Sequence, residues 1–171
     1  MARLQDNKEN TSEITQKMDK ERVFLLLGFI AIAFLPSLTG FLFSPGEWYA
    51  ALHKTSWTPP NWLFGPAWTF LYITIGLAGF LAWESGSQEQ RRIAFVFYAT
   101  QLFFNGLWTF FFFGLHSPLL ALLDLSAMLL TVLITMALFY ACRPLAGLIL
   151  LPYFLWSIFA FFLNLAILRL N

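Results

Sequence analysis

Few side chains in this sequence can do chemistry in apolar surroundings, and those that can recur at helical spacings. Tyr98, Gln101, Asn105 and Trp108 stand at i, i+3, i+7 and i+10, so a helix would present them as one stripe, polar in its middle. Tyr153, Trp156, Ala160 and Asn164 form a second stripe, with Ala160 as a small gap among large neighbours. Trp68 and Tyr72, four apart, share a face of a third segment. An unpaired amide away from water is costly, so the stripes should face inward. There they either hold helices together by hydrogen bonds or line a site. Asp124 is the one formal charge within the apolar stretches and is a functional candidate on that ground. A proton relay would need partners, yet no Lys, Arg, His or second acid shares those stretches. A hydrogen bond to an indole or to Asn105 would make Asp124 a packing element instead. His53 and His116 fall in loops; paired histidines can ligate haem iron, although surface histidines are far commoner. The lone Cys142 can form neither an intramolecular disulfide nor a thiolate zinc site. We find no metal-ligand cluster, nucleophile–base pair or phosphate loop, so conventional catalysis has no support in the sequence.

The elements that must position these residues follow from composition. Of the 171 residues 59% are apolar and 11% charged. A soluble domain carries roughly 25% charged residues, so the chain reads as an integral membrane protein. A net charge of +1 gives no basic surface for nucleic acid. Five stretches are long enough to span a bilayer: Val23–Phe43, Leu63–Trp83, Ile93–Leu115, Pro118–Tyr140 and Leu145–Leu168. Lipid offers no hydrogen bonds to an open backbone, which makes them helices. The expected fold is therefore an all-α bundle of five transmembrane helices over residues 23–171, preceded by a polar, disordered tail over residues 1–22. Arg3, Lys8, Lys17, Lys20, Arg22, Arg91, Arg92 and Arg143 fall on one side, against Lys54 and Arg169 on the other. That excess puts the N-terminus in the cytoplasm and the long connection Ser44–Trp62 outside.

This connection holds Trp57-Thr58-Pro59-Pro60-Asn61-Trp62. Adjacent prolines fix two φ angles and keep the preceding residues extended. The chain should thus enter the membrane stiffly and start a helix with Pro66 in its first turn. Trp57 and Trp62 fit an interfacial aromatic belt as readily as a site; Trp68 lies deeper. Pro152 should kink the last helix beside Tyr153 and Trp156.

Trp48-Tyr49, Leu52, Lys54, Trp57-x-Pro-Pro-x-Trp62-x-Phe-Gly-Pro-x-Trp68-Thr and Leu71-Tyr72 resemble the signature of the TspO/MBR family of translocator proteins. The likeness continues through Pro36-Ser37-Leu38, Gln101-Leu102, Asn105, Trp108, Asp124 and Pro152-Tyr153-x-x-Trp156-x-x-Phe159-Ala160, covering about residues 33 to 168. It implies a five-helix bundle whose long first loop lids a pocket. The ligands it implies are tetrapyrroles (protoporphyrin IX, haem), sterols and synthetic isoquinoline carboxamides, with no required cofactor. Trp68, Tyr72, Asn105, Trp108, Trp156 and Ala160 match its pocket-lining positions, Trp57 and Trp62 its lid; Gln101, Asp124 and Tyr153 complete the expected ligand-binding set. A flat macrocycle with polar edges suits aromatic faces and a few donors. Some bacterial members of the family degrade protoporphyrin IX in light, for which Trp68 and Trp156 match the indole positions. The resemblance also implies a bacterial cell membrane, with an outer membrane as the alternative, and lipid as a neighbour. Two positions depart from the family. Leu165 replaces the Tyr of the sterol-recognition pattern, and Val96 and Thr100 replace the small residues of a homodimer contact.

Overall fold

A computed structural model of the chain describes residues 19–171, all of whose regular structure is helical. Helix α1 covers residues 19–34, followed by α2 (Ser37–Leu42), α3 (Glu47–Ala51), α4 (Asn61–Ser85) and α5 (Gln88–Thr109). A π-helical turn, Phe110–Gly114, continues α5; then come α6 (Pro118–Cys142), α7 (Pro144–Leu148) and α8 (Leu151–Leu170). Among the described residues four helices are long and apolar enough to cross a membrane: Asn61–Ser85, Gln88–Gly114, Pro118–Cys142 and Pro144–Leu170. The protein is an integral membrane protein.

Several sequence expectations are corrected here. The stretch Val23–Phe43 is not one uninterrupted helix. It breaks at Leu35-Pro36, where Leu35, Leu38 and Thr39 donate to carbonyls three residues back. Proline lacks the N–H that would continue the four-residue ladder. Residues 19–22, assigned to the tail, are helical and continuous with α1; the disorder expected of residues 1–18 lies outside the described residues. Pro66 is interior to α4 rather than in its first turn, because Pro60, with ψ 144°, caps a helix that already starts at Asn61. The Trp62 carbonyl thereby loses its usual donor. Pro152 does not kink a continuous helix either. The chain breaks at Ile149-Leu150, and Pro152 sits in the first turn of α8, where its missing N–H has no intrahelical role.

Local chemistry sets the remaining ends. Ser87 and Gln90 form a reciprocal capping box at the start of α5, with Gln90 Oε1 accepting from the Ser87 N–H at 2.9 Å. Ser117 caps α6 ahead of Pro118. Gly86 N–H closes α4 on the Ala82 carbonyl.

The bundle packs on small residues, as membrane helices do when lipid offers no hydrophobic penalty for separation. Ala78, Ala82, Ala94 and Ala146 are fully buried between helices. One end of the bundle collects the ion pair of Arg22 and Glu84 and the Arg91 guanidinium over Trp83. The opposite end brings Trp48 onto His116 and the His53 backbone onto Asn171. Helix α1 crosses α4 at Gly76, where an added Cβ would lie 2.6 Å from Ile30 Cα.

Gly76→Ala should therefore lower stability by about 1–3 kcal/mol through overpacking. Gly28→Ala, at a site with nothing within 4 Å, should match or slightly exceed the parent. Thermal unfolding of the purified protein in detergent checks both; equal melting of the two variants would contradict the α1–α4 contact.

Candidate functional site

A cavity of about 450 Å³ opens inside the bundle, in the range of small-molecule sites. Its walls come from α2, the first loop, α4, α5, the π turn, α6 and α8. Trp68, Tyr72, Asn105, Trp108, Trp156 and Ala160 all line it. Three stripes read from sequence thus converge, because helical period brings each set to one face and the bundle turns those faces inward.

Beneath the cavity lies a chain of hydrogen bonds that ties three helices. Tyr72 O–H donates to Asn105 Oδ1 at 2.9 Å, Asn105 Nδ2 donates to Tyr153 Oη at 3.2 Å, and Tyr153 O–H donates to Gln101 Oε1 at 2.8 Å. Asn105 and Gln101 are buried, as their cost in an apolar medium requires. The aromatic walls are built on this chain. Trp68 stacks on Tyr72 with ring centroids 5.4 Å apart and meets Tyr153 edge-on at 6.3 Å. Trp156 contacts Phe64 edge-on at 6.1 Å, and Trp108 stacks on Phe112 at 5.0 Å.

The other expected residues sit elsewhere. Gln101 and Tyr153 are buried and support the wall through hydrogen bonds but do not line the cavity. Trp57 packs edge-on against Phe159 and Trp62 is 71% exposed; neither reaches the cavity. Asp124 is buried outside the lining, and both its oxygens lack a partner among the described residues. The hydrogen bond from Asn105 that would have made Asp124 a packing element is absent; Asn105 accepts from Tyr72 and donates to Tyr153. His116 lies flat on Trp48 at 4.4 Å, with a left-handed φ of 51°. His53 is joined to Asn171 through its backbone, and neither histidine lines the cavity. Among the described residues no group of His, Cys, Asp or Glu is arranged to hold a metal ion.

Sequence reasoning missed Tyr49, Asn61, Phe64, Phe112 and Phe113, all on the wall. Tyr49 and Asn61 sit in the aromatic and proline segments already singled out, so their signal was present. Phe112 and Phe113 were hidden in a run of phenylalanines whose phase is shifted by the π turn, where Leu115 N–H reaches back to the Phe110 carbonyl. Two wall residues keep unpartnered polar atoms among the described residues: Trp108 Nε1 and Asn164 Oδ1. Asn164 is oriented by its Nδ2, which donates to the Pro118 carbonyl at 2.8 Å.

Residues 24–170 match the model of the TspO/MBR family. A tryptophan-rich protein TspO from Archaeoglobus fulgidus is 48% identical over 72% of this chain and 80% of its own length. The tryptophan-rich sensory protein of Cereibacter sphaeroides is 42% identical over 86% of this chain and 91% of its own. The human translocator protein is 35% identical over 85% and 89% respectively.

Tyr153→Phe removes both the acceptor for Asn105 and the donor to Gln101, leaving two buried polar groups unpaired. It should cost about 1–2 kcal/mol in detergent unfolding. Tyr72→Phe, which leaves Asn105 bonded to Tyr153, should cost less; the reverse order would contradict the chain.

Proposed function

Since the chain belongs to the TspO/MBR family, we propose that it is a membrane carrier or sensor that binds porphyrin-type tetrapyrroles, protoporphyrin IX or haem, in the internal cavity. The observation that carries this reading is the convergence of Trp68, Tyr72, Asn105, Trp108, Trp156 and Ala160 on one space of about 450 Å³. Stacked indoles and phenols suit the faces of a flat macrocycle. The names of the relatives, a sensory protein and a translocator protein, fit a sensor or carrier. Sterols are a secondary class, given Leu165 in place of the pattern's Tyr.

In this reading the architecture is a five-helix bundle with the first loop as its lid. Helices α1 and α2 act together as the first span: residues 19–42, at about 1.5 Å per residue, extend beyond the roughly 30 Å of a hydrocarbon core. The lid reading is supported by Tyr49, which contributes wall, and by the loop's contacts with His116, Phe159 and Asn171. The Arg22, Arg91 and Arg143 end faces the cytoplasm of a bacterial cell, and the lid faces out.

Titration of the purified protein with protoporphyrin IX, followed by tryptophan quenching, should give saturable binding. Trp68→Ala and Asn105→Ala should each weaken it about three- to tenfold, as one stacking face or one hydrogen-bonded edge is lost. Trp83→Phe, at the opposite end beneath Arg91, should leave the affinity unchanged. Linear, unsaturable quenching would sink the reading in favour of a lipid-filled cavity.

The presence of both Trp68 and Trp156 on the wall favours a second reading, light-dependent breakdown of bound protoporphyrin IX through contact with oxidisable indoles. Under illumination the Soret band should then fade faster than that of free pigment in matched detergent, and return to background in Trp68→Phe or Trp156→Phe. Equal fading with and without protein would exclude the enzyme reading.

A further inference from the structure

The cavity wall contains no charged side chain. This matters for the ligand class proposed above, because protoporphyrin IX and haem carry two propionate carboxylates at one edge of an otherwise apolar disc. A carboxylate taken out of water without a counter-charge costs far more than one stacking face returns. The disc can therefore enter only with its carboxylate edge turned to a place where water or a cation is at hand.

The described structure offers such a cation beside the wall. Lys54 Nζ lies 4.4 Å from the centroid of the Tyr49 ring, and Tyr49 itself lines the cavity. The ammonium thus rests on the ring of a wall residue without itself lining the cavity. It is weakly held where it is: its hydrogen bond to the Ala50 carbonyl is 3.5 Å long. No carboxylate pairs with it among the described residues, whose one ion pair joins Arg22 and Glu84 at the far end of the bundle. The other charged or titratable groups on the loop side are differently placed. Glu47 and Arg169 are exposed, His53 is tied to Asn171 through its backbone, and His116 is stacked on Trp48, which is not a wall residue.

We infer that Lys54 is the carboxylate anchor of this cavity, holding the propionate edge of a tetrapyrrole beside Tyr49 while the disc stacks among Trp68, Trp108 and Trp156. The inference rests on the tetrapyrrole reading and adds to it an orientation and a selectivity: dicarboxylate pigments are preferred to their neutral counterparts. Lysine suits the task because its charge sits on a four-carbon stem that can swing from the Tyr49 face to an incoming carboxylate. The tyrosine ring stabilises the ammonium while the site awaits ligand.

The test uses the full chain in neutral detergent and two probes, protoporphyrin IX and its dimethyl ester, which differ in the carboxylate charges. Tryptophan quenching should show the free acid binding about tenfold more tightly than the ester, with the gap narrowing as salt is raised. Lys54→Gln should bring the acid to the affinity of the ester and leave the ester unchanged, which also reports an intact cavity. Lys54→Arg should retain the preference. If both pigments saturate and Lys54→Gln keeps the acid-to-ester ratio of the parent, the anchor is overturned while the tetrapyrrole reading survives. If neither pigment saturates the parent protein, that reading fails and the anchor falls with it.

Discussion

The hydrogen-bonded chain from Tyr72 through Asn105 and Tyr153 to Gln101 is the constraint on which the rest of the structure depends. Inside a bilayer no water can satisfy an amide, so each of these groups has to find its partner in the protein. Because the partners lie on α4, α5 and α8, satisfying them fixes the rotation of three helices at once. The same rotation turns Trp68, Trp108 and Trp156 toward a common centre, since each indole sits three or four residues, about one turn, from a member of the chain. The polar chain and the aromatic walls are two consequences of a single set of helix rotations.

A cavity at the centre of a bundle needs a reason not to collapse. Regular helices with small residues at their contacts close tightly, as at Gly76 against Ile30 and at Gly147 against Tyr140. Around the cavity the backbone departs from regular helix. Pro36 and Ser37 lie at the α1–α2 break, Phe112 and Phe113 in the π turn, and Phe64 and Trp68 on either side of Pro66, and all but Pro66 are on the wall. The wall is then stiffened by rings that lean on one another, Trp108 on Phe112 and Trp68 on Tyr72, rather than on the far side.

Much of this was legible from residue spacing. The i, i+3, i+7 and i+10 stripe of α5 and the Trp68–Tyr72 pair are periodic signals, and periodicity survives folding wherever a helix is regular. What was not legible follows from departures from regularity. Phe112 and Phe113 could not be phased because a π turn inserts a residue into the ladder, and nothing in a run of phenylalanines announces that. Pro66 was assigned to a first turn since proline is favoured there, but Pro60 already supplies an extended cap and starts the helix earlier. Pro152 was expected to kink a helix that instead stops at Ile149-Leu150, so its ring sits at a beginning, not a middle. Trp57 and Trp62 match the family's lid positions, yet indoles at a membrane surface have many ways to be half-buried, and sequence cannot choose among them.

The distribution of cohesion through the molecule bears on how any ligand gets in. Separating α4, α5 and α8 would break the buried amide and phenol chain and leave several polar groups unpaired in a medium with no substitute. The first loop is held by contacts of another kind: the Trp48–His116 stack, the Trp57–Phe159 edge contact and the pair of bonds between His53 and Asn171, all at the bundle's end. Exposed hydrogen bonds are replaced by water when broken, and local openings draw on such segments first. On the carrier or sensor reading proposed above, displacing the loop is the cheaper route to the cavity, and it would move Tyr49, the one wall residue that the loop's short helix contributes, together with the ammonium that lies across it.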